Sequence, residues 1–309
     1  MKKSLSLILV VALIGLFAVG CGSESAVDDN GSYNVIATTT IIADVVEQIG
    51  GEYVNIESLM GPGVDPHLYK ASAGDVTKMQ NADIVMYNGL HLEGKMGDIF
   101  ENLQGGDKII VAAAETIDKD ELLDFITVPG SYDPHVWFDV AMWEEASENI
   151  YKGLVELDPD NEENYKKNYE AYKGELEELE DYIVTRIEEL PEEKRILITA
   201  HDAFQYFGKA YGFQVKGLQG ISTDAEAGTS DVRDLADFIV ENEVKSIFVE
   251  SSVSRKNIEA LQEAVKAQGF DVEIGGELYS DSTGDAGTDA ETYIGTFKAN
   301  IDIIVDALK

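Results

Sequence analysis

A single cysteine, Cys21, stands in a chain of 309 residues. No intramolecular disulfide can form, and no metal site can be built from several thiolates. Bases are scarce as well. Lys and Arg number 23 against 59 Asp and Glu, for a formal charge of −36. Such a chain repels phosphate backbones, which excludes nucleic acid as a partner, and it does not adhere to anionic lipid by charge. The acidity reads as a solvated surface; its field would concentrate cations near the protein without making a site for one. Internal repeats, a Gly-rich phosphate loop, a GxSxG elbow and an HExxH pair are all missing, so the common nucleotide and hydrolase signatures are absent. Histidine occurs four times and proline six times.

Against that scarcity, Asp-Pro-His occurs twice, as Asp65-Pro66-His67 in GPGVDPHLYK and as Asp133-Pro134-His135 in SYDPHVWFDV. Proline fixes its own φ and drives the preceding residue into an extended conformation, so the backbone entering each histidine is stiff. Either the triplets are ordinary turns that happen to carry histidine, or they aim two side chains at something.

The N-terminus is not part of the fold. Lys2 and Lys3 precede a nearly continuous apolar run, Leu5 to Val19, and small residues lead into Cys21. This is the pattern of an export signal over residues 1–20. The apolar run is shorter than the ~20 residues a spanning helix needs. Ala18-Val19-Gly20-Cys21 resembles a bacterial lipobox, with alanine where leucine is commoner. The resemblance implies that Cys21 is acylated and becomes the mature N-terminus. The polar residues up to position 34 then form a flexible tether, and the protein is expected at the cell membrane, lipid-anchored and facing away from the cytoplasm.

The remaining chain is long enough for one large or two ordinary domains. Short β-branched runs (35–39, 54–59, 84–88, 109–113, 196–200, 213–218, 246–250, 272–274) alternate with helical patterns (42–49, 74–81, 230–241, 255–268, 291–308). That alternation predicts two α/β domains with mostly parallel sheets, residues 35–157 and 191–309. Between them, after Asp158-Pro159, apolar residues fall at Tyr165, Tyr169, Tyr172, Leu176, Leu179, Ile183, Ile187 and Leu190. Steps of three and four make one face of a helix over 158–190, with Asp158 as its N-cap. About thirty residues give roughly 45 Å, the length of a domain, so a rigid rod joining both domains is expected rather than a loose hinge.

His67 follows one predicted strand, His201 comes directly after the strand RILITA, and Asp281 follows VEIGGELYS. Carboxyl ends of strands are where open α/β sheets bind ligands, and with His135 these residues come from both halves. A ligand touching all four would lie in the cleft between the domains. Three imidazoles and a carboxylate suit zinc and accept other first-row divalent ions. Taken singly, each has a plainer role: His135 beside Trp137 as a core histidine, His201 as a cap for the next helix. A calcium loop at DSTGDAGTDAET is excluded, because Ala286 and Thr292 stand where an EF-hand needs glycine and glutamate.

The segments GPGVDPHLYKASAGDVTKMQNADIVMYNGLHLEGKM, DPHVWFDV, AHDAFQYFGKAYGFQVKGLQGIST, AEAGTSDVRDLADFIVENEVKSIFVESSVS and GGELYSDSTG resemble the zinc- and manganese-binding receptor lipoproteins of bacterial ABC importers, also called the adhesin-lipoprotein family. The resemblance runs from about residue 35 to the C-terminus. It implies two α/β domains joined by a rigid helix, one ion between them, and a membrane permease as partner of a monomeric receptor. It also implies the ligands His67, His135, His201 and Asp281, and leaves His91 in YNGLHLE outside that set. Histidine at position 201 leans towards zinc, whereas the lack of a His-rich loop before His135 leaves room for manganese. The rival readings are a lipid-anchored zinc hydrolase, with Glu250 as a conceivable base, a manganese-specific receptor, and a host adhesin, for which no surface is visible in the sequence.

Overall fold

The computed structural model describes residues 32–106, 108–125 and 130–309. The expected export signal, Cys21 and nearly all of the tether lie outside these residues. In the first half, β1 (Tyr33–Ala37), α1 (Thr40–Gly50), β2 (Val54–Ser58), α2 (Ala73–Asn81), β3 (Ile84–Tyr87), α3 (Gly97–Gln104), β4 (Ile109–Ala112) and α4 (Val140–Leu157) follow one another. The strands form one parallel sheet in the order β2-β1-β3-β4. Ile84, Val85 and Met86 of β3 are all buried, as an interior strand covered on both faces requires.

The second half repeats the alternation with β5 (Ile196–His201), α6 (Gln205–Tyr211), β6 (Gln214–Gln219), α7 (Thr229–Glu241), β7 (Ser246–Glu250), α8 (Arg255–Ala267), β8 (Glu273–Leu278) and α9 (Tyr293–Leu308). β5 pairs with β6 and β7 with β8, both in parallel, and β5 lies beside β7. The register of β8 slips by one residue at Gly275, so that Ile274 faces Ile247 while Gly276 faces Phe248. A Cβ on Gly275 would lie 2.7 Å from Ala307 Cβ and 2.9 Å from Phe248. Only glycine lets this strand bulge against α9.

Between the halves runs α5, Glu162–Ile187, 26 residues long and therefore roughly 39 Å. Its predicted apolar face is the buried one: Tyr165, Tyr169, Tyr172, Leu176, Leu179, Ile183 and Ile187. The expected start differs in detail. Pro159–Asn161 forms a 3-10 turn, and the Asp158 carboxylate accepts from Asn161 Nδ2 and the Tyr165 hydroxyl instead of capping backbone N–H groups. Polar bonds tie the rod to both halves. Asn168 Nδ2 donates to Ile49 O at the end of α1, and Arg186 binds Asp302 and Asp306 of α9. One apolar cluster runs from the first sheet through α5 to α9, so the halves share a core.

Candidate metal centre

Each Asp-Pro-His triplet folds into the same local turn. Asp65 Oδ1 accepts the His67 N–H at 2.9 Å, and Asp133 Oδ1 accepts the His135 N–H at 3.0 Å. The aspartate thus closes a turn two residues on, with proline fixing the link between them. His67 lies in the loop joining β2 to α2, and His135 leads into the 3-10 turn Val136–Phe138. His201 is the last residue of β5, and Asp281 follows the bulged strand β8. All four side chains are buried, with relative exposures of 4% or less.

Their inner atoms converge. His67 Nε2 lies 3.2 Å from His135 Nε2, and His135 Nε2 lies 3.4 Å from His201 Nε2. Asp281 Oδ1 is 3.6 Å from His135 Nε2 and 3.5 Å from His201 Nε2. All four donor atoms fall within 4.8 Å of one another. A tetrahedron with bonds of about 2.0–2.1 Å has edges of roughly 3.3–3.4 Å, so the four spacings of 3.2, 3.4, 3.5 and 3.6 Å are those of a zinc-sized ion.

The outer atoms decide which ring nitrogens face inward. His135 Nδ1–H donates to Asp133 Oδ1 at 2.7 Å, and His201 Nδ1–H donates to Glu250 Oε2 at 2.5 Å. In the neutral imidazoles both protons therefore sit on the outer nitrogens, and the Nε2 lone pairs point at the centre. Glu250 ends β7, next to β5, and its other oxygen accepts the His201 backbone N–H at 2.8 Å. Asp281 Oδ2 accepts from Ser252 Oγ at 2.6 Å, while Oδ1 is buried without a hydrogen-bond partner. Lone pairs and a bare carboxylate oxygen facing one another call for a cation.

Electrostatics divide the histidines. Burial pushes His67 down to about 3; Asp281 offsets part of this, and the two neighbouring imidazoles add to the fall. Burial also works against charge on His201, but Glu250 and Asp281 outweigh it and raise its pKa well above the usual range. His135 is raised in the same manner, chiefly by Asp133. Burial alone would raise Asp281, yet the three imidazoles hold it well below the carboxylate range.

The structure thus brings together the four residues expected from the sequence. His91 is exposed at φ 67° and lies outside the cluster. Glu250 grips a histidine on both its backbone and its ring, which leaves it no free oxygen to act as a base. Sequence reading did not find Asp133 as the partner of the His135 ring, although its place two residues before each histidine was the available signal. Nor did it find Ser252, or the Trp137 indole that donates to Ser280 O at 2.9 Å and fastens the first half to the segment carrying Asp281.

The sequence profile described as "Zinc-uptake complex component A periplasmic" (ZnuA) matches residues 35–307. The chain belongs to this family. Among ZnuA-family relatives, it is 47% identical to the zinc-binding protein TroA of Treponema pallidum (strain Nichols), over 97% of this chain and 96% of that one. It is equally, 47%, identical to the manganese-binding lipoprotein MntA of Bacillus subtilis (strain 168), over 98% and 99%. The solved periplasmic zinc-binding protein TroA of T. pallidum superposes with a TM-score of 0.87 at 48% identity, covering 90% of this chain and 99% of that structure. The two-domain α/β fold with its long connecting helix is therefore that of a ZnuA-family receptor. The protein is a solute-binding component of an uptake system that works outside the cytoplasm, and not an enzyme. The hydrolase reading finds no support in the family. No helix among the described residues is long and apolar enough to cross a membrane.

Proposed function

We propose that the protein captures one divalent transition-metal ion between its domains, with His67, His135 and His201 binding through Nε2 and Asp281 through Oδ1, and hands it to the permease of an ABC importer. Zinc is the favoured cargo, because three imidazole nitrogens and one carboxylate at tetrahedral spacing match it best. The observation that carries the reading is the four-donor cage with inward lone pairs. Manganese is the second cargo to test, since the manganese-named relative is as similar as the zinc-named one. The domains are 35–157 and 191–309 with 158–190 as connector. The receptor acts as a monomer, held by lipid on Cys21 at the cell membrane and facing away from the cytoplasm.

Competition titration of the metal-stripped protein with Zn2+ and Mn2+ tests this. One equivalent of tight binding is expected in the wild type and none in Asp281→Ala. Asp281→Ala binding as tightly as wild type would contradict the assignment. Manganese affinity equal to that of zinc would make the protein a dual receptor.

A further inference from the structure

A strained loop lies behind the cage. After β3 the chain runs Asn88-Gly89-Leu90-His91-Leu92-Glu93, and Gly89, Leu90 and His91 have φ of 87°, 51° and 67°. Only the glycine takes this left-handed conformation freely. Glu93 holds the loop in it: its buried carboxylate accepts the Thr38 hydroxyl at 2.6 Å, the Asn88 N–H at 2.9 Å and the Gly89 N–H at 3.3 Å. Strain of this kind persists only where the surroundings over-determine it, and it gathers where a group has to be aimed. The group aimed here is the Asn88 side chain. It is fully buried, and Nδ2 donates to Pro134 O at 3.0 Å and to Gly89 O at 3.1 Å. Asn88 Oδ1 is buried with no partner among the described residues, so the amide forgoes one bond to serve two carbonyls as a donor. Pro134 O does not need that donor for its own sake, because the Val136 N–H already reaches it at 2.9 Å. One step earlier, Asp133 O receives the Tyr206 hydroxyl at 2.9 Å. The two successive carbonyls leading into His135 are thus held from opposite halves, by Asn88 and by Tyr206.

Building on the receptor reading, we infer that Asn88 is a positioning residue for His135: it fixes the peptide plane on which the imidazole is mounted, and the strained loop closed by Glu93 delivers its amide there. Asn88 touches neither the ion nor the ring. Asp133 sets the rotation of the ring through Nδ1, and Asn88 sets the backbone that carries it. The leverage is large because His135 Nε2 stands 3.2, 3.4 and 3.6 Å from the other three donors. A small turn of the Pro134–His135 peptide therefore misplaces three edges of the donor tetrahedron at once.

The test is zinc titration of the full chain, beside the visible absorption of its Co2+ complex and the melting temperature of the metal-free protein. Asn88→Ala removes the clamp and the orphaned acceptor together and leaves Pro134 O its bond from Val136. Zinc affinity should fall about tenfold and the Co2+ band should shift, while the metal-free melting temperature moves little. Asn88→Asp keeps the shape but sets a carboxylate against two carbonyl oxygens, and it should lower affinity further. Wild-type affinity and an unshifted Co2+ band in Asn88→Ala would overturn the assignment. So would a loss of affinity that comes with an unshifted band and a lowered melting temperature, because a general loosening explains that pair. Should Asn88→Ala fail to fold, Glu93→Gln decides: it keeps the Asn88 amide but turns an N–H towards the N–H groups of the loop. The Co2+ band should shift there as well, and an unshifted band would sink the clamp. A wild-type chain that binds no zinc overturns the receptor reading itself, whereas the other contrary results overturn only the role of Asn88.

Discussion

At the scale of single residues, the site is a set of donors held by acceptors. Asp133 and Glu250 each take the outer N–H of a histidine, which turns the inner nitrogen into a lone pair of fixed direction. Glu250→Gln keeps the shape but sets an amide N–H against the His201 N–H or ring proton. It should lower zinc affinity by about 10–100-fold with the protein still folded, which titration and melting together measure. Affinity unchanged in that variant would mean that the brace has no part in binding. The raised pKa values of His201 and His135 give a second expectation. In the metal-free protein a proton on Nε2 competes with the ion, and this competition already operates around neutrality because both groups titrate above the usual range. Zinc affinity should therefore rise from about pH 6 to about pH 8, with protons released on binding. A flat profile would show that the histidines do not bind the ion. His67 and His135 stand out in the sequence because histidine is rare and Asp-Pro recurs, and His201 and Asp281 because each follows a predicted strand, but the four as one ligand set come from the family resemblance. The grip of Glu250 on His201 was not legible there, since it depends on β5 lying beside β7, and nothing local in either strand announces its neighbour.

At the scale of elements, precision comes from places where a side chain is absent. Gly217 in β6 faces the end of β5 so closely that a Cβ would lie 2.4 Å from Asp202 N and 2.5 Å from His201 C. Both are backbone atoms of the segment that presents His201, so neither can rotate away. Gly217→Ala should cost about 1–3 kcal/mol of stability and shift His201, lowering melting temperature and zinc affinity together. A fall in only one of them would separate the strand from the site. The long helix α5 was legible almost residue by residue, because its steps of three and four persist over its whole length. Its first turn was not, since Asp158 finds a better partner in the Tyr165 hydroxyl than in the backbone it was expected to cap. The helix α4 was not foreseen either: Ala146, Ser147 and Gly153 lie on its buried face among Met142, Trp143, Ile150 and Leu154 and dilute its apolar pattern. Gly153 has no room to be anything larger, because a Cβ there would lie 2.6 Å from Val111 Cγ2.

At the scale of the whole molecule, the fold sets two parallel α/β halves against one rod and places the donors at the seam. The rod shares an apolar core with both halves and is pinned to α9 through Arg186, so wide hinge motion would tear packed surface. Small movements at the mouth of the cleft, where polar bonds such as Thr283 N–H to Thr40 Oγ1 and Lys95 to Asp224 cross between the halves, are easier. The alternation of strands and helices made two α/β units legible. The strand order and the side-chain bonds across the cleft are long-range and were not. One ion is expected where His67, His135, His201 and Asp281 meet. Crystals of the zinc-loaded protein, measured at the zinc absorption edge and just below it, test this most directly. A single anomalous peak is expected about 2.0–2.2 Å from the three Nε2 atoms and the Asp281 oxygen. An empty centre, or a peak held by other residues, would contradict it.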